Sequence, residues 1–130
     1  DIGNTSEKYN THCFIERKSL SDLLGTMSKG YDRFENELKR TRDLELYLIL
    51  ICERPFKEFM SFPYLNYIHS EATPEFISHR IKDLLQKYDC WQIIFANGRI
   101  DMAELIKKVF CCEIKPEKLD WQFLRDGKVI

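Results

Sequence analysis

The run of apolar and polar positions changes period several times along this chain, and each change marks an element. Leu46-Tyr47-Leu48-Ile49-Leu50-Ile51-Cys52 is apolar without alternation, the pattern of a strand covered on both faces. Trp91–Ala96 predicts a second buried strand. Cys13-Phe14-Ile15 leads apolar into the charged triplet Glu16-Arg17-Lys18, as a strand running out of a core does, and predicts a strand over 12–18. Elsewhere the repeat lengthens to helical spacing. Tyr31, Phe34 and Leu38 share one stripe of a helix at about 32–43. Thr73-Pro74 makes a cap and first-turn pair, opening a helix whose core face is Ile77, Ile81, Leu84, Leu85 and Tyr88. Asn97-Gly98 turns the chain into a helix with Met102, Leu105, Ile106, Val109 and Phe110 facing inward. Ser19-Leu20-Ser21-Asp22-Leu23-Leu24-Gly25 reads as a short helix closed by its glycine.

Strand–helix–strand order with short links predicts an α/β domain, a mostly parallel inner sheet with helices packed against it. Residues 3–11 are polar and read as a loop, the tip of a hairpin entering the first strand. Residues 54–72 are aromatic-rich and irregular, broken by Pro55 and Pro63. After Pro116, residues 119–130 read either as a strand and turn or as a tail docking its aromatics on the body. No internal repeat or low-complexity segment interrupts the pattern.

Composition narrows the class. A chain of 130 residues makes one domain with a sizeable core. With 44% hydrophobic and 32% charged residues it is not a disordered chain. No apolar run approaches bilayer length and no signal-peptide pattern is present, so a membrane partner is not expected. The five cysteines are odd in number and form no CxxC pair, which argues against a zinc site and for a reducing compartment. Cys13, Cys52 and Cys90 fall in or beside strands, as small core residues do. An intracellular setting is expected, cytoplasmic or nuclear, or a host cell should the protein be viral. A net charge of −1 argues against a protein that coats nucleic acid nonspecifically. Basic side chains cluster locally instead, at Lys29, Arg33, Lys39, Arg40 and Arg42, and again at Lys107, Lys108, Lys115 and Lys118. Mixed charge such as the Glu35/Lys39 pair is ordinarily a solvated helix face.

Chemical content is concentrated in Glu16-Arg17-Lys18-Ser19-Leu20-Ser21-Asp22. Side chains alternate along a strand, so Glu16 and Lys18 point one way and Arg17 the other. Asp22 follows on the next helix. A carboxylate beside an ammonium suits metal-dependent phosphodiester cleavage: the acid holds a divalent cation, and the lysine orients the attacking water and steadies charge developing on phosphorus. The plain alternative for the triplet alone is a solvated strand end with an ordinary ion pair. Its position, at the carboxyl end of a strand and just before a helix, is where open α/β sheets place their sites. Other candidates carry less. His12, His69 and His79 have no ligand spacing, Ser19 and Ser21 lack a glycine elbow, and Gly25 and Gly30 form no phosphate-cradling loop. Glu53 and Arg33 are secondary candidates, with a strand-end acid and a helix-surface ion pair as their plain readings.

Ile15-Glu16-Arg17-Lys18 followed by three residues and Asp22 resembles the ERKxxxD signature of XPF-type structure-specific endonucleases. Tyr31–Leu38, the strand Leu46–Cys52 ending at Glu53, and the helix–strand–helix stretch from Thr73 to Cys112 are also similar to that family, over roughly residues 12–112. The resemblance implies a restriction-endonuclease-like mixed sheet flanked by helices, with the N-terminal part of the domain missing. It implies a nuclease domain over 1–112 and a C-terminal extension over 113–130 packing on it. It also implies two further upstream acids, one in a D-x-R-E stretch and one in a Gly-Asp pair. The first is absent here, and Asp1 is either the aspartate of the second or a solvated terminus.

The function that follows from the resemblance is a magnesium- or manganese-dependent endonuclease acting on branched, flapped or distorted DNA. Glu16, Lys18 and Asp22 are its catalytic residues, with Asp1, Glu16 and Asp22 as metal ligands and Arg17, Lys29 and Arg33 as DNA contacts. The family works in pairs, so a homodimer or heterodimer is expected. The alternative is a catalytically silent relative that binds DNA or scaffolds an active partner.

Overall fold

In a computed structural model of the chain, residues 12–111 and 116–128 are described. Three strands, β1 (Cys13–Lys18), β2 (Tyr47–Cys52) and β3 (Trp91–Phe95), form one parallel sheet in the order β1-β2-β3. The register sets Glu16 beside Leu50 and Lys18 beside Cys52, and sets Cys52 in turn beside Phe95. Every residue of central β2 is buried, as its unbroken apolar run requires of a strand with cover on both faces. Helices α1 (Leu20–Met27), α2 (Tyr31–Asp43), α3 (Phe56–Met60), α4 (Pro74–Lys87), α5 (Arg99–Phe110) and α6 (Trp121–Asp126) complete the domain. The described sheet is wholly parallel, and the hairpin that a mixed sheet needs was assigned to residues 3–11, outside the described residues.

Alternation along β2 divides the interior into two cores. Leu48, Leu50 and Cys52 meet Leu20, Leu23, Leu24 and Met27 of α1, together with α2, α4 and the aromatics Phe59 and Phe62. Tyr47, Ile49 and Ile51 face Cys13, Ile94, the α5 residues Met102, Leu105 and Val109, and Trp121. Each fully covered Leu, Ile or Phe contributes about 1.5–3 kcal/mol relative to an exposed one.

Three expectations change, and one pair of alternatives is decided. Gly25 does not close α1, which runs on to Met27, and Ser28 caps it by donating from its backbone N–H to Leu24 and Gly25 carbonyls. Leu20, Leu23, Leu24 and Met27 form one buried stripe, and burying that last methionine outweighs the roughly 1 kcal/mol that a mid-helix glycine costs. Leu85 is not on the core face of α4 but 41% exposed, because Ile77, Ile81, Leu84 and Tyr88 already complete the stripe one step round the helix. The stretch 54–72 is organised by its aromatics: Phe59 and Phe62 are buried, and Phe56 meets Phe95 edge-on at 5.3 Å. Beyond Pro116 the chain makes a short turn and α6 rather than a strand. Trp121 enters the core while Phe123 stays 67% exposed.

The C-terminal segment lies against β3, an edge strand of the described sheet. Gln92 donates from Nε2 to the Tyr47 hydroxyl at 3.0 Å and to the Leu119 carbonyl at 2.9 Å, and its Oε1 accepts from the Trp121 N–H. Gln122 accepts the Phe95 N–H at 2.6 Å. Polar groups on an otherwise open edge are thereby satisfied by side chains, one of the ways in which sheets blunt their edges.

Candidate functional site

All three strands end at one edge, and their ends are stitched together. The Glu53 N–H donates to the Lys18 carbonyl at 2.9 Å, and the Gly98 N–H to the Glu53 carbonyl at 2.7 Å. Gly98 adopts φ 100°, a conformation that L side chains rarely take, so a glycine is required where β3 turns into α5. The junction creates a polar cleft of about 370 Å³ lined by Arg17, Lys18, Ser19, Asp22, Glu53 and Arg99 over Met102. Open parallel sheets keep their sites at this edge because strand-to-helix turns there leave backbone and side chains facing space.

Lys18 is the centre of the arrangement. Its Nζ lies 3.0 Å from Glu16 Oε2, and its side chain is only 18% exposed against 31% for Glu16. The same lysine also lines a second cleft, of about 420 Å³, with Asp22, Lys29 and Arg33. The pleat therefore delivers Glu16 and Lys18 to one face as their spacing requires, and Arg17 is exposed. Ser19 is the N-cap of α1, its hydroxyl accepting from the Asp22 N–H at 3.1 Å. Asp22 thus stands in the first helical turn, where a carboxylate is also stabilised by the helix dipole.

The sequence-derived candidates fall into three groups. Lys18, Asp22 and Arg17 meet in the first cleft, and Lys18, Asp22, Lys29 and Arg33 meet in the second. Glu16 lines neither cleft and is tied to them through Lys18. Asp1 lies outside the described residues. Among the described residues, no three His, Cys, Asp or Glu side chains converge as a metal cluster. Carboxylate oxygens are nonetheless the donors that a hard cation takes, and magnesium is commonly held by only one or two of them, with waters and substrate phosphates completing its shell. In kind, Glu16 and Asp22 fit such an ion.

Two buried strand thiols, Cys52 near the site and Cys13 at the opposite end of β1, offer no nucleophile. Burial pushes the Cys52 thiol up to about 11 and the Cys13 thiol up to about 12, so neither yields thiolate near neutral pH. His12 bonds Glu117 at 2.9 Å, while His69 and His79 are exposed on separate elements.

Two features escaped the sequence reading. Arg99 Nε sits 3.5 Å from Glu53 and is 87% exposed at the cleft mouth. Arg54 forms a bidentate pair with Glu58 at 2.9 and 2.8 Å, and the Tyr67 hydroxyl donates to the same carboxylate at 3.2 Å. The apolar run giving way to charge, which singled out Glu16, recurs at Glu53-Arg54 and was the signal for the second. Nothing local marks Arg99, which reaches Glu53 only through the pairing of β2 with β3. No protein-family model, curated protein or solved structure matches the chain. Among the described residues, no helix is long and apolar enough to cross a membrane.

Proposed function

We propose that this chain is a divalent-metal-dependent DNA endonuclease acting at branched, flapped or distorted DNA, with a restriction-endonuclease-like fold. One observation carries the reading: the ERKxxxD pattern lies at the carboxyl edge of a parallel sheet, with Lys18 ion-paired to Glu16 at 3.0 Å and sharing a cleft with Asp22. Glu16 and Asp22 supply carboxylate oxygens. A bound magnesium or manganese ion contributes Lewis-acid polarisation and a more acidic water. Lys18 has three N–H donors and, among the described residues, one carboxylate partner, so it can orient an attacking water and stabilise charge on the phosphoryl oxygens. Arg17, Lys29 and Arg33 hold the DNA backbone, and contacts of that kind position a duplex without reading its sequence.

A second reading has its own support. A Glu16 carboxylate already neutralised by Lys18 suits a silent relative that binds DNA or scaffolds an active partner equally well.

Nicking of a branched DNA substrate in magnesium or manganese tests the proposal. Glu16→Ala and Lys18→Ala each should lower the rate by about a hundredfold or more, the scale for removing one transition-state stabiliser. Equal rates for wild type and both variants would overturn it. DNA binding without nicking, and without divalent-ion binding at Glu16, would favour the silent relative.

A further inference from the structure

We propose that the groove between α1 and the 67–72 segment is a track for a single-stranded DNA arm, with the Tyr67 ring as its stacking platform. The proposal rests on the endonuclease reading and extends it from the reacting phosphate to the strand leading away from it. The groove has a volume of about 540 Å³, with Ser21, Gly25, Ser28, Lys29, Tyr67 and Ser70 among its lining residues.

Shared walls join this groove to the signature. Ser21, Gly25 and Lys29 line both the groove and the cleft containing Lys18, Asp22 and Arg33. Ser21 and Tyr67 recur in a smaller hollow, of about 340 Å³, that reaches Ser19 and Glu53. The hollows adjoin one another around the exposed face of α1. Gly25 keeps that face low, since a Cβ built there would meet nothing within 4 Å. A strand crossing α1 at this point therefore runs over bare backbone.

Tyr67 has the properties of a base-stacking side chain. The residue is 47% exposed, and its hydroxyl is tied to Glu58, which Arg54 fixes through two hydrogen bonds. Its neighbour Ile68 is buried in the core and anchors the segment. A flat ring held at one end and open to solvent offers a π-face to any base, so stacking there is tolerant of sequence. Lys29 and Arg33 are exposed, and among the described residues no carboxylate lies within ion-pair reach of either. They are free to follow a phosphate backbone. Glu71 and Glu37 also line these clefts, so charge alone makes a weak trap for duplex DNA. An aromatic platform with few cations favours unstacked bases over a duplex, whose bases are already stacked.

Fluorescence anisotropy of the full chain in EDTA, with labelled oligothymidine and with a blunt duplex, tests the track. Tyr67→Ala should weaken oligothymidine binding by about fivefold to a hundredfold, the range for one lost base stack, and leave duplex binding within about twofold. Tyr67→Phe keeps the ring but drops the Glu58 bond that holds it, and should retain most of the binding that Tyr67→Ala loses. The track is overturned if Tyr67→Ala leaves oligothymidine binding unchanged, or if Tyr67→Phe is as damaging as Tyr67→Ala. Failure of the parent chain to bind oligothymidine overturns it too. Nicking in magnesium reads the other proposal separately. A chain that nicks yet is indifferent to Tyr67 refutes the track alone, and one that binds through Tyr67 without nicking refutes the endonuclease alone.

Discussion

The open side of β3 and the carboxyl edge of the sheet are both rich in polar side chains, yet they use them in opposite ways. At β3, Gln92 engages Tyr47, Leu119 and Trp121, Gln122 closes on Phe95, and Arg125 pairs with Asp101. Those groups are committed to one another, and they bring Trp121 into the core. At the carboxyl edge, Lys18 has one carboxylate partner among the described residues, Arg99 holds Glu53 at 3.5 Å, and Lys29 and Arg33 line open clefts. Half-buried polar groups bonded to each other stabilise a fold, whereas charged groups facing space are available to a ligand. The contrast separates a region closed on itself from one left open to a ligand.

The largest expected effect breaks the comparison on its structural side. Trp121→Ala should destabilise the protein by about 3–5 kcal/mol in urea or thermal unfolding, the usual scale for emptying a buried tryptophan site. A loss below about 1 kcal/mol would mean that the C-terminal segment is an ornament on β3 rather than part of the core.

The second prediction concerns the other region. Lys18→Met keeps the aliphatic stem and removes the ammonium, so unfolding stability should change by less than about 1 kcal/mol. On the proposed endonuclease reading, the loss falls instead on the nicking rate. A Lys18→Met variant as unstable as Trp121→Ala would show that the Glu16–Lys18 pair serves the fold.

A smaller effect sharpens the comparison through pH. Burial pushes the Asp101 carboxyl up, but the Asn97 N–H and the hydrogen bond and charge of Arg125 outweigh it, and the group sits below its ordinary value of 3.8. A depressed folded value means that the unfolded chain takes up the proton first as pH falls. The contribution is complete above about 3.8 and is lost as pH drops through the folded value. Thermal unfolding midpoints should therefore fall on acidification below about pH 4, and Arg125→Met should flatten that part of the profile. An identical acid profile for the variant would show that the pair does not fasten α6 to α5.

Much of this architecture was legible because short-range pattern and final environment agree. The run ending at Cys52 is apolar at every position, and β2 is buried at every position. The period of two through Glu16-Arg17-Lys18 put acid and base on one face, and their side chains meet there. Thr73 caps α4 by accepting from the Phe76 N–H, as the Thr-Pro pair suggested. Legibility failed where a distant contact overruled a local signal. Gly25 looks like a stop until Met27 finds its place in the core behind it. The aromatics of 54–72 carry no period, and distant partners, Phe95 of β3 among them, give Phe56 and Phe59 a reason to order.

The sequence by itself determined the strands, most helix faces, and the placing of an acid, a base and a second acid at Glu16, Lys18 and Asp22, since periodicity and residue type are local properties. Tertiary structure alone decided what surrounds that chemistry. Parallel pairing sets Lys18 beside Cys52 and Cys52 beside Phe95, and this drew Glu53 and Arg99 to the same edge. The turn of the chain after α3 brought Tyr67 to the groove beside α1. Such meetings join residues dozens of positions apart, and they follow from burying two cores on one sheet rather than from any spacing along the chain.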